Sequence, residues 1–245
     1  MNESKAAVKL SSADYERDAL YIIIDDATTI ELTRAAIEDN AKKYWQDPTK
    51  ISSEAKAAAE FQRCSFCPLN KTGGLCDAIR PVFSFIEALD RYVSFQPVTI
   101  VYKDGNDVLY TRTTMMQEAL RYLSVLSMVY YCQVGRTYWK YFLGIMPYMT
   151  ASEIAERLYL NFLFLNNGNK KASDDTITKF KKDITFVTRN QVRRMNLVCK
   201  NDAFMNAFVN AQIITELMSE GFAEKLEKDF ASRRPADLPA PLMLI

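Results

Sequence analysis

The alternation of hydrophobic and polar positions along this chain predicts a mainly α-helical domain with one small β-hairpin. Apolar residues recur every three to four positions over most of the sequence, which is the spacing of a helix with one buried face. Helices are predicted at residues 28–45, 53–63, 78–92, 114–134, 150–166, 175–198 and 202–230. Glycine is scarce, at 7 of 245 residues, which also favours helices over a many-turned β-sandwich.

One stretch of the chain carries the pattern of a β-hairpin. Residues 98–102 and 108–111 are rich in β-branched and aromatic side chains, and the Asp104-Gly105-Asn106 segment between them is typical of a tight turn. The predicted hairpin spans residues 98–111. The apolar run at residues 20–24 is compatible with a buried strand and with a first helical turn, and both remain open.

Two predicted helices begin with the spacing of a capping box. Thr114-x-x-Gln117 and Thr150-x-x-Glu153 each place a hydroxyl three residues before a side chain that can bond back to the helix start. The first of these helices is apolar nearly all round over residues 122–132, as expected of a helix enclosed by others. That stretch is too short to cross a bilayer, so we expect no membrane span.

Polar and proline-containing stretches divide the chain into four predicted regions. A polar lead-in at residues 1–18 is expected to be mobile, and a tail at residues 233–245 with three prolines is expected to be extended. A polar linker near residue 170 separates a cysteine-containing helical domain, residues 19–170, from a two-helix C-terminal extension, residues 171–232.

Composition and charge narrow the class of protein. Hydrophobic residues make up 49% of the chain, which is enough for a core, and the formal net charge of +1 predicts no bulk attraction to nucleic acid. The first residues lack the pattern of a secretory signal, so we expect a cytoplasmic protein. In a reducing compartment, its five cysteines are expected to be metal ligands or free thiols.

The strongest chemical signal is a group of four cysteines in a chain without histidine. Cys64-x-x-Cys67 and Cys76 lie in one loop with turn residues, and Cys132 lies near the end of the most apolar helix. The lack of imidazole excludes Ser-His and Cys-His catalytic pairs and mixed Cys/His metal sites. We therefore predict a metal site formed by the thiolates of these four cysteines.

The identity of the metal remains open between two alternatives. Zinc is favoured because a site built only of cysteines is a common structural zinc arrangement, but the same sulfurs can hold an iron–sulfur cluster. A dithiol redox motif at Cys64 and Cys67 is a weaker hypothesis. Thioredoxin-type folds place such a motif within alternating β and α units, and the sequence around it does not predict them. The plainest alternative is that these are incidental or core thiols, as we expect of Cys199.

The cysteine loop and the segments after it resemble a known family. The run Cys64-Ser65-Phe66-Cys67-Pro68-Leu69, followed by Cys76, Cys132 and Met146-Pro147, is similar to an uncharacterised bacterial family of cysteine-motif proteins with a CPxCPL loop. The similarity covers residues 64–165, with Tyr131-Cys132-Gln133 in place of the family's GCP. The resemblance implies that the four cysteines act together, and it implies no activity.

Three other features are candidate sites. The helix at 175–198 has a basic face that could bind an anion, although a solvated face is the commoner explanation; its residues are Lys179, Lys182, Arg189 and Arg193. The aromatic residues between 130 and 148 could line a ligand pocket or belong to the core. The tail ends in four large apolar residues that could dock on a partner or on the chain itself: Leu242, Met243, Leu244 and Ile245.

The sequence as a whole predicts a non-catalytic interaction or assembly protein with a structural all-cysteine zinc site. We expect a protein partner or a homo-oligomer, and not nucleic acid. The first alternative is an iron–sulfur redox or sensing protein. The second is an enzyme, although phosphate loops, dinucleotide fingerprints and nucleophile elbows are absent from the sequence.

Overall fold

Four antiparallel strands form one sheet in the computed structural model of this protein, which describes residues 15–25, 27–33, 35–39, 42, 53–61, 64–72, 76–218 and 222–232. The strands follow the order β2-β1-β3-β4 across the sheet. They are β1 (Ala19–Ile23), β2 (Thr29–Thr33), β3 (Pro97–Lys103) and β4 (Leu109–Met115). The predicted hairpin is confirmed as β3 and β4, but the prediction of one hairpin alone was incomplete because β1 and β2 extend the sheet.

Strand β1 settles the open interpretation of residues 20–24. It lies inside the sheet, where Ile22 pairs with Ile30 of β2 on one side and with Ile100 of β3 on the other. Leu20 and Ile22 join the main core, and Tyr21 joins a second, smaller apolar cluster. A strand with apolar neighbours on both faces needs a continuous apolar run, which is why its sequence lacks alternation.

Strand β2 shows that the helix predicted from residue 28 was wrong at its start. Thr29–Thr33 pairs with β1, and helical structure covers residues 35–39 instead. Along β2, Glu31 is exposed and Leu32 is fully buried, which is the two-residue period of a strand. Most of the remaining predicted helix, up to residue 45, lies outside the described residues.

Helices make up most of the described chain, as predicted. Seven of them are labelled here: α1 (Ser53–Glu60), α2 (Arg80–Leu89), α3 (Met116–Leu126), α4 (Ala151–Leu165), α5 (Lys170–Val198), α6 (Ala203–Leu217) and α7 (Phe222–Ser232). Shorter turns connect them: a single α-turn at Leu69–Thr72, 3-10 turns at Asp77–Ile79 and Gly135–Phe142, and a π-turn at Ser127–Tyr131.

One of the two predicted capping boxes is present. The Thr150 hydroxyl accepts a hydrogen bond from the Glu153 N–H, and the Glu153 carboxylate accepts one from the Thr150 N–H, so α4 begins as predicted. The box predicted at Thr114 was wrong, because that residue belongs to β4 and its hydroxyl contacts Glu118 instead. Helix α3 therefore starts after Met115 without a side-chain cap.

Two boundaries in the C-terminal half also differ from the prediction. Helix α5 begins at Lys170, five residues early, because the Asn169 side chain accepts a 3.0 Å hydrogen bond from the Ala172 N–H and caps it. The predicted helix at 202–230 is two helices, because Met218 leaves the helical conformation with a ψ of 42°.

The main core forms around α3, which is the most enclosed helix, as its apolar sequence predicts. Leu120 and Leu123 of α3 are fully buried, and α6 packs along this helix with Phe204 and Phe208. Phe180 of α5 belongs to the same continuous cluster. The cluster extends from the sheet to α7, so the helices after residue 170 share one core with the segments before it.

None of the described helices is long and apolar enough to cross a bilayer. The lead-in up to residue 14 and the tail at 233–245 lie outside the described residues. The docking residues predicted in that tail, Leu242, Met243, Leu244 and Ile245, therefore stay a prediction.

Candidate metal centre

The four nominated cysteines come together around one small cavity. Cys64, Cys67, Cys76 and Cys132 all line a space of about 10 Å³, together with side chains of α5. Cys64 and Cys132 are each 6% exposed, and Cys67 and Cys76 are half-buried. The structure thus brings together residues that are up to 68 positions apart in the chain, and all five cysteines are free thiols.

A tight turn holds the first two thiols. The Cys67 N–H donates a 2.8 Å hydrogen bond to the Cys64 carbonyl, which closes the Cys-x-x-Cys segment into a turn. Asn70 stabilises the turn from outside, because its side-chain amide donates a 2.7 Å bond to the same carbonyl and its N–H bonds to the Cys67 carbonyl. These bonds use backbone oxygens and leave both sulfurs for the cavity.

Hydrogen bonds of Cys76 and of the residue after it hold this cysteine close to the turn. Its own N–H donates to the Ala59 carbonyl at 3.1 Å, so it lies beside the end of α1. The following residue, Asp77, accepts a 2.8 Å hydrogen bond from the Gln133 side chain. The segment with Cys76 is thereby joined directly to the segment with Cys132.

Cys132 is placed by a π-turn that ends the central helix. Its N–H bonds to the Ser127 carbonyl, five residues back, at 3.0 Å, and its own backbone is extended with φ −65° and ψ 128°. The helix predicted to reach residue 134 therefore consists of α3 followed by this π-turn, and it ends at Tyr131. Single π-turns within helices are common at functional sites. Gly135 permits the fold-back, since a Cβ there would lie 1.6 Å from the Met128 carbonyl oxygen.

Hydrogen-bond donors converge on the sulfurs. The Asn190 side-chain amide donates to Cys64 Sγ at 3.3 Å, and the Gln191 amide approaches Cys76 Sγ at 3.7 Å. The N–H groups of Val134 and Gly135 bond to the Cys132 sulfur. Such donors stabilise a thiolate over a thiol and are common around metal-bound cysteine.

Two buried polar side chains of α5 line the cysteine cavity. Gln191 is 1% exposed, and its Oε1 has no hydrogen-bond partner among the described residues. Arg194 is also 1% exposed, lines the cavity, and donates from Nε to the Phe61 carbonyl at 3.0 Å. A guanidinium is always charged in proteins, so this cavity contains a permanent positive charge beside four potential anions.

The protonation of the thiols follows from their burial. Burial raises the pKa of Cys132 to about 12, against the opposing effect of the two backbone N–H groups. Burial likewise raises the pKa of Cys64, although the Asn190 hydrogen bond and the Arg194 charge oppose it. Without a metal, both side chains are neutral thiols at pH 7, and an ion must displace their protons to bind.

The thiols of the four cysteines lie around the cavity without the geometry of a complete coordination shell. Among the described residues, no group of three or more cysteine or carboxylate side chains stands in a geometry that could hold a metal ion. Tetrahedral zinc with bonds of about 2.3 Å brings neighbouring sulfurs to about 3.8 Å from one another. The four thiols share a cavity, and binding would require them to move closer together.

The other predicted sites lie elsewhere. Cys199 is outside the cavity, and burial raises its pKa to about 12. The four basic residues of the predicted anion face, Lys179, Lys182, Arg189 and Arg193, are all exposed on α5, and anion binding there stays a prediction. Within the aromatic cluster, Tyr138, Tyr141 and Phe142 are core residues, whereas Tyr130 and Trp139 are largely exposed.

Sequence reasoning missed the contribution of α5 to the cysteine cluster. Its apolar stripe passes from Val187 to Met195 through three buried polar residues, Asn190, Gln191 and Arg194. Polar side chains at inward positions of an apolar helix stripe could have indicated that α5 borders a polar site. Their partners could not be identified, because the cysteines they face are more than 50 residues distant in the chain.

These features define a mainly helical protein in which a loop, a helix end and a long helix surround a cluster of four thiols. The chain belongs to the family described as a domain of unknown function, DUF6901, which matches residues 21–232. The expectation of an uncharacterised family is thereby confirmed. Comparison with curated proteins and with solved structures found no match.

Proposed function

We propose that this protein is a non-catalytic interaction or assembly component whose loop at residues 64–76 is organised by a structural zinc ion. The ligands would be the thiolates of Cys64, Cys67, Cys76 and Cys132. One observation carries the proposal: these four thiols, and donors directed at three of their sulfurs, surround a single cavity. A zinc ion there would join the loop, the end of α3 and the flank of α5.

The electrostatics of the cavity support a metal–thiolate centre. Four thiolates and one divalent ion have a summed charge of −2, which is costly to bury unless positive charge or hydrogen-bond donors lie close. The guanidinium of Arg194 supplies one positive charge at the cavity wall. The amides of Asn190 and Gln191 and two backbone N–H groups supply the donors.

The size of the cavity favours zinc over the alternative cofactor. A space of about 10 Å³ has room for roughly one water-sized sphere, which suits a single ion. An iron–sulfur cluster contains several iron and sulfide atoms and would need a larger space than this one. The all-cysteine ligand set is also a common structural zinc arrangement.

The surface next to the centre supports an interaction role. Phe66, between the first two cysteines, is 47% exposed, and its ring lies 5.0 Å from that of Phe186, which is 38% exposed. Two neighbouring exposed aromatic rings are typical of protein contact sites. A metal at the base of the loop would hold Phe66 in a fixed position on this surface.

Metal analysis of the full chain, purified without oxygen, tests the cofactor. We expect colourless protein with about one zinc ion per chain. Cys132→Ser should lose most of this zinc and melt at a lower temperature, whereas Cys199→Ser, which removes a thiol outside the cavity, should keep both properties. Full zinc content and an unchanged melting temperature in Cys132→Ser would overturn the proposal, and brown protein with stoichiometric iron and sulfide would replace zinc by a cluster.

Photo-crosslinking tests the interaction role. A photoreactive phenylalanine analogue at position 66 should yield one defined crosslinked product in the producing cells, either with another protein or with a second copy. The same analogue at Phe95, which is 69% exposed and distant in sequence from the loop, is the matched control. Identical products at both positions, or no defined product at position 66, would count against a docking surface at this loop.

A further inference from the structure

A larger cavity lies on the other side of the segment that delivers Cys132. It has a volume of about 530 Å³ and is bounded by β3, by α3 and by the residues that lead into α4. Tyr130 and Tyr131 line it, while the next residue, Cys132, lines the cysteine cavity. Sites for small organic molecules in proteins range from about 300 to 1,000 Å³, so this volume suits one.

Two walls of this cavity are apolar. Val125 and Leu126 of α3 form one of them. Ile145, Met146 and Pro147 form the other, in the segment before α4. A ligand in this space would therefore place an apolar body between these two walls, where a polar group would lose its hydration without gaining hydrogen bonds, and its polar end beside the charged lining residues.

Arg121 brings a buried positive charge to the same cavity. It is 4% exposed, and one of its Nη atoms donates to the Met149 carbonyl. Among the described residues, no carboxylate forms an ion pair with it. A buried cation without an anionic partner is costly, which makes this position suited to an anion.

The acids nearest to Arg121 are engaged elsewhere. Glu118 pairs with Arg112 at 2.5 Å. Glu153 caps α4 by accepting a 2.7 Å hydrogen bond from the Thr150 N–H. Both carboxylates raise the pKa of Arg121 through space, against the larger lowering by burial, but neither forms an ion pair with it.

Two other cations among the described lining residues already have acidic partners. Arg80 pairs with Asp77 at 2.9 Å, and Lys42 lies 3.7 Å from Asp39. Two acids also line the cavity: Asp18, which accepts a 3.2 Å hydrogen bond from the Tyr102 hydroxyl, and Glu38, which has a partner of its own. Among the described residues that line the cavity, Arg121 is therefore the cation that has no ion-pair partner, and its charge is left for a bound molecule.

We propose that this cavity binds a small organic carboxylate with an apolar body. The guanidinium of Arg121 would hold the carboxylate, since its planar fork matches that group. The apolar body would lie between α3 and the wall at residues 145–147. This binding site goes beyond the proposed zinc centre and does not depend on which metal is bound there.

Direct titration of the purified full chain tests this proposal with two carboxylates of different shape, decanoate and 4-biphenylacetate. Their uncharged matches, decanamide and biphenylacetamide, share the apolar body and lack the charge. We expect saturable binding of at least one carboxylate by calorimetry, with a raised melting temperature. The corresponding amide should bind at least tenfold more weakly.

Two variants locate the site. Arg121→Gln should weaken carboxylate binding at least tenfold and leave amide binding unchanged. Because this residue is buried and its variant could fold poorly, Met146→Trp provides a second test by filling the cavity from its partly exposed wall, and it should abolish binding. Met115→Trp, at a position that is 42% exposed and outside the cavity, is the matched control. Equal binding of carboxylate and amide, no saturable binding by folded wild type, or undiminished binding in Met146→Trp would overturn the proposal.

Discussion

The side-chain amide of Gln133 donates a 2.8 Å hydrogen bond to the carboxylate of Asp77, and this bond joins the neighbours of two nominated ligands. Gln133 follows Cys132 in the chain, and Asp77 follows Cys76. Asp77 also pairs with Arg80 at 2.9 Å, which fixes its carboxylate from the other side. The relative position of the two thiols is thus set in part by a bond between the residues that follow them.

Gln133→Leu should therefore weaken zinc binding although it removes no ligand. Groups that orient metal ligands typically contribute about 10- to 100-fold to affinity, and we expect a loss of about tenfold here. Competition with a chelator of known affinity measures it. Gln212→Leu removes a hydrogen bond of the same 2.8 Å length, to Glu216 on the exposed face of α6, and should leave zinc affinity unchanged. Equal affinities of the two variants would contradict this role for Gln133.

Gly135→Ala should destabilise the fold by about 3 kcal/mol, since overpacking at a rigid site costs this much. The new methyl group would lie 1.6 Å from the Met128 carbonyl oxygen, so the backbone around Cys132 has to shift. Urea unfolding of zinc-loaded and zinc-free protein measures the effect. Gly105→Ala is the matched control, because its nearest neighbour would be Asp18 Oδ2 at an ordinary 3.8 Å, and it should change little. Similar losses in both variants would argue against a special constraint at residue 135.

Gln191→Leu should affect stability and metal binding in opposite directions. The variant removes the buried Oε1 that lacks a partner among the described residues, so the zinc-free protein should be as stable as wild type or more stable by about 1 kcal/mol. It also removes the amide that approaches Cys76 Sγ at 3.7 Å, so zinc affinity should fall about tenfold.

Thermal unfolding and chelator competition on the same preparations separate the two effects of Gln191→Leu. Asn166→Leu, which removes a 2.8 Å amide-to-carbonyl bond at the end of α4, is a suitable control for a purely structural amide. A joint fall of stability and affinity in Gln191→Leu would mean that this residue is structural only.

The stability of the zinc-free protein should fall as the pH rises above about 9. Burial raises the pKa of Cys132 from its ordinary value of 9 to about 12, so between these values the unfolded chain loses a proton that the folded chain keeps. The unfolded state then binds fewer protons, and the free energy of unfolding decreases with pH. Below pH 9 this contribution is fully present.

Urea unfolding at pH 8, 9 and 10 measures the decline, and Cys132→Ser should show a smaller slope than wild type. Zinc-loaded wild type should also show a smaller slope, because its thiols have already lost their protons to the metal. Cys199→Ser is the control outside the cavity, because burial raises the pKa of this half-buried thiol to about 12 as well. Identical slopes for zinc-free wild type and Cys132→Ser would contradict the prediction.

Local patterns along the chain are enough to predict some elements of this fold. The strand pattern of β3 and β4, the capping box at Thr150 and the enclosed apolar helix α3 all depend on neighbours within a few residues, and each was readable. Strand β1, for which the sequence allows two conformations, is decided partly by a distant partner, because it pairs with β3. Strand β2 is short and polar enough to resemble a helix start, and its pairing with β1 decides its conformation.

The sequence by itself determined the mainly helical class, the hairpin and the four cysteines worth considering, because periodicity, turn residues and the lack of histidine are properties of composition and order. Only the tertiary structure decided that Cys132 reaches the 64–76 loop, and that Asn190 and Gln191 approach its sulfurs. The same holds for the buried charge of Arg121 beside an apolar cavity. The physical reason is that such groups meet through the packing of whole helices, and the pattern along one helix does not specify which distant side chains its buried polar positions will face.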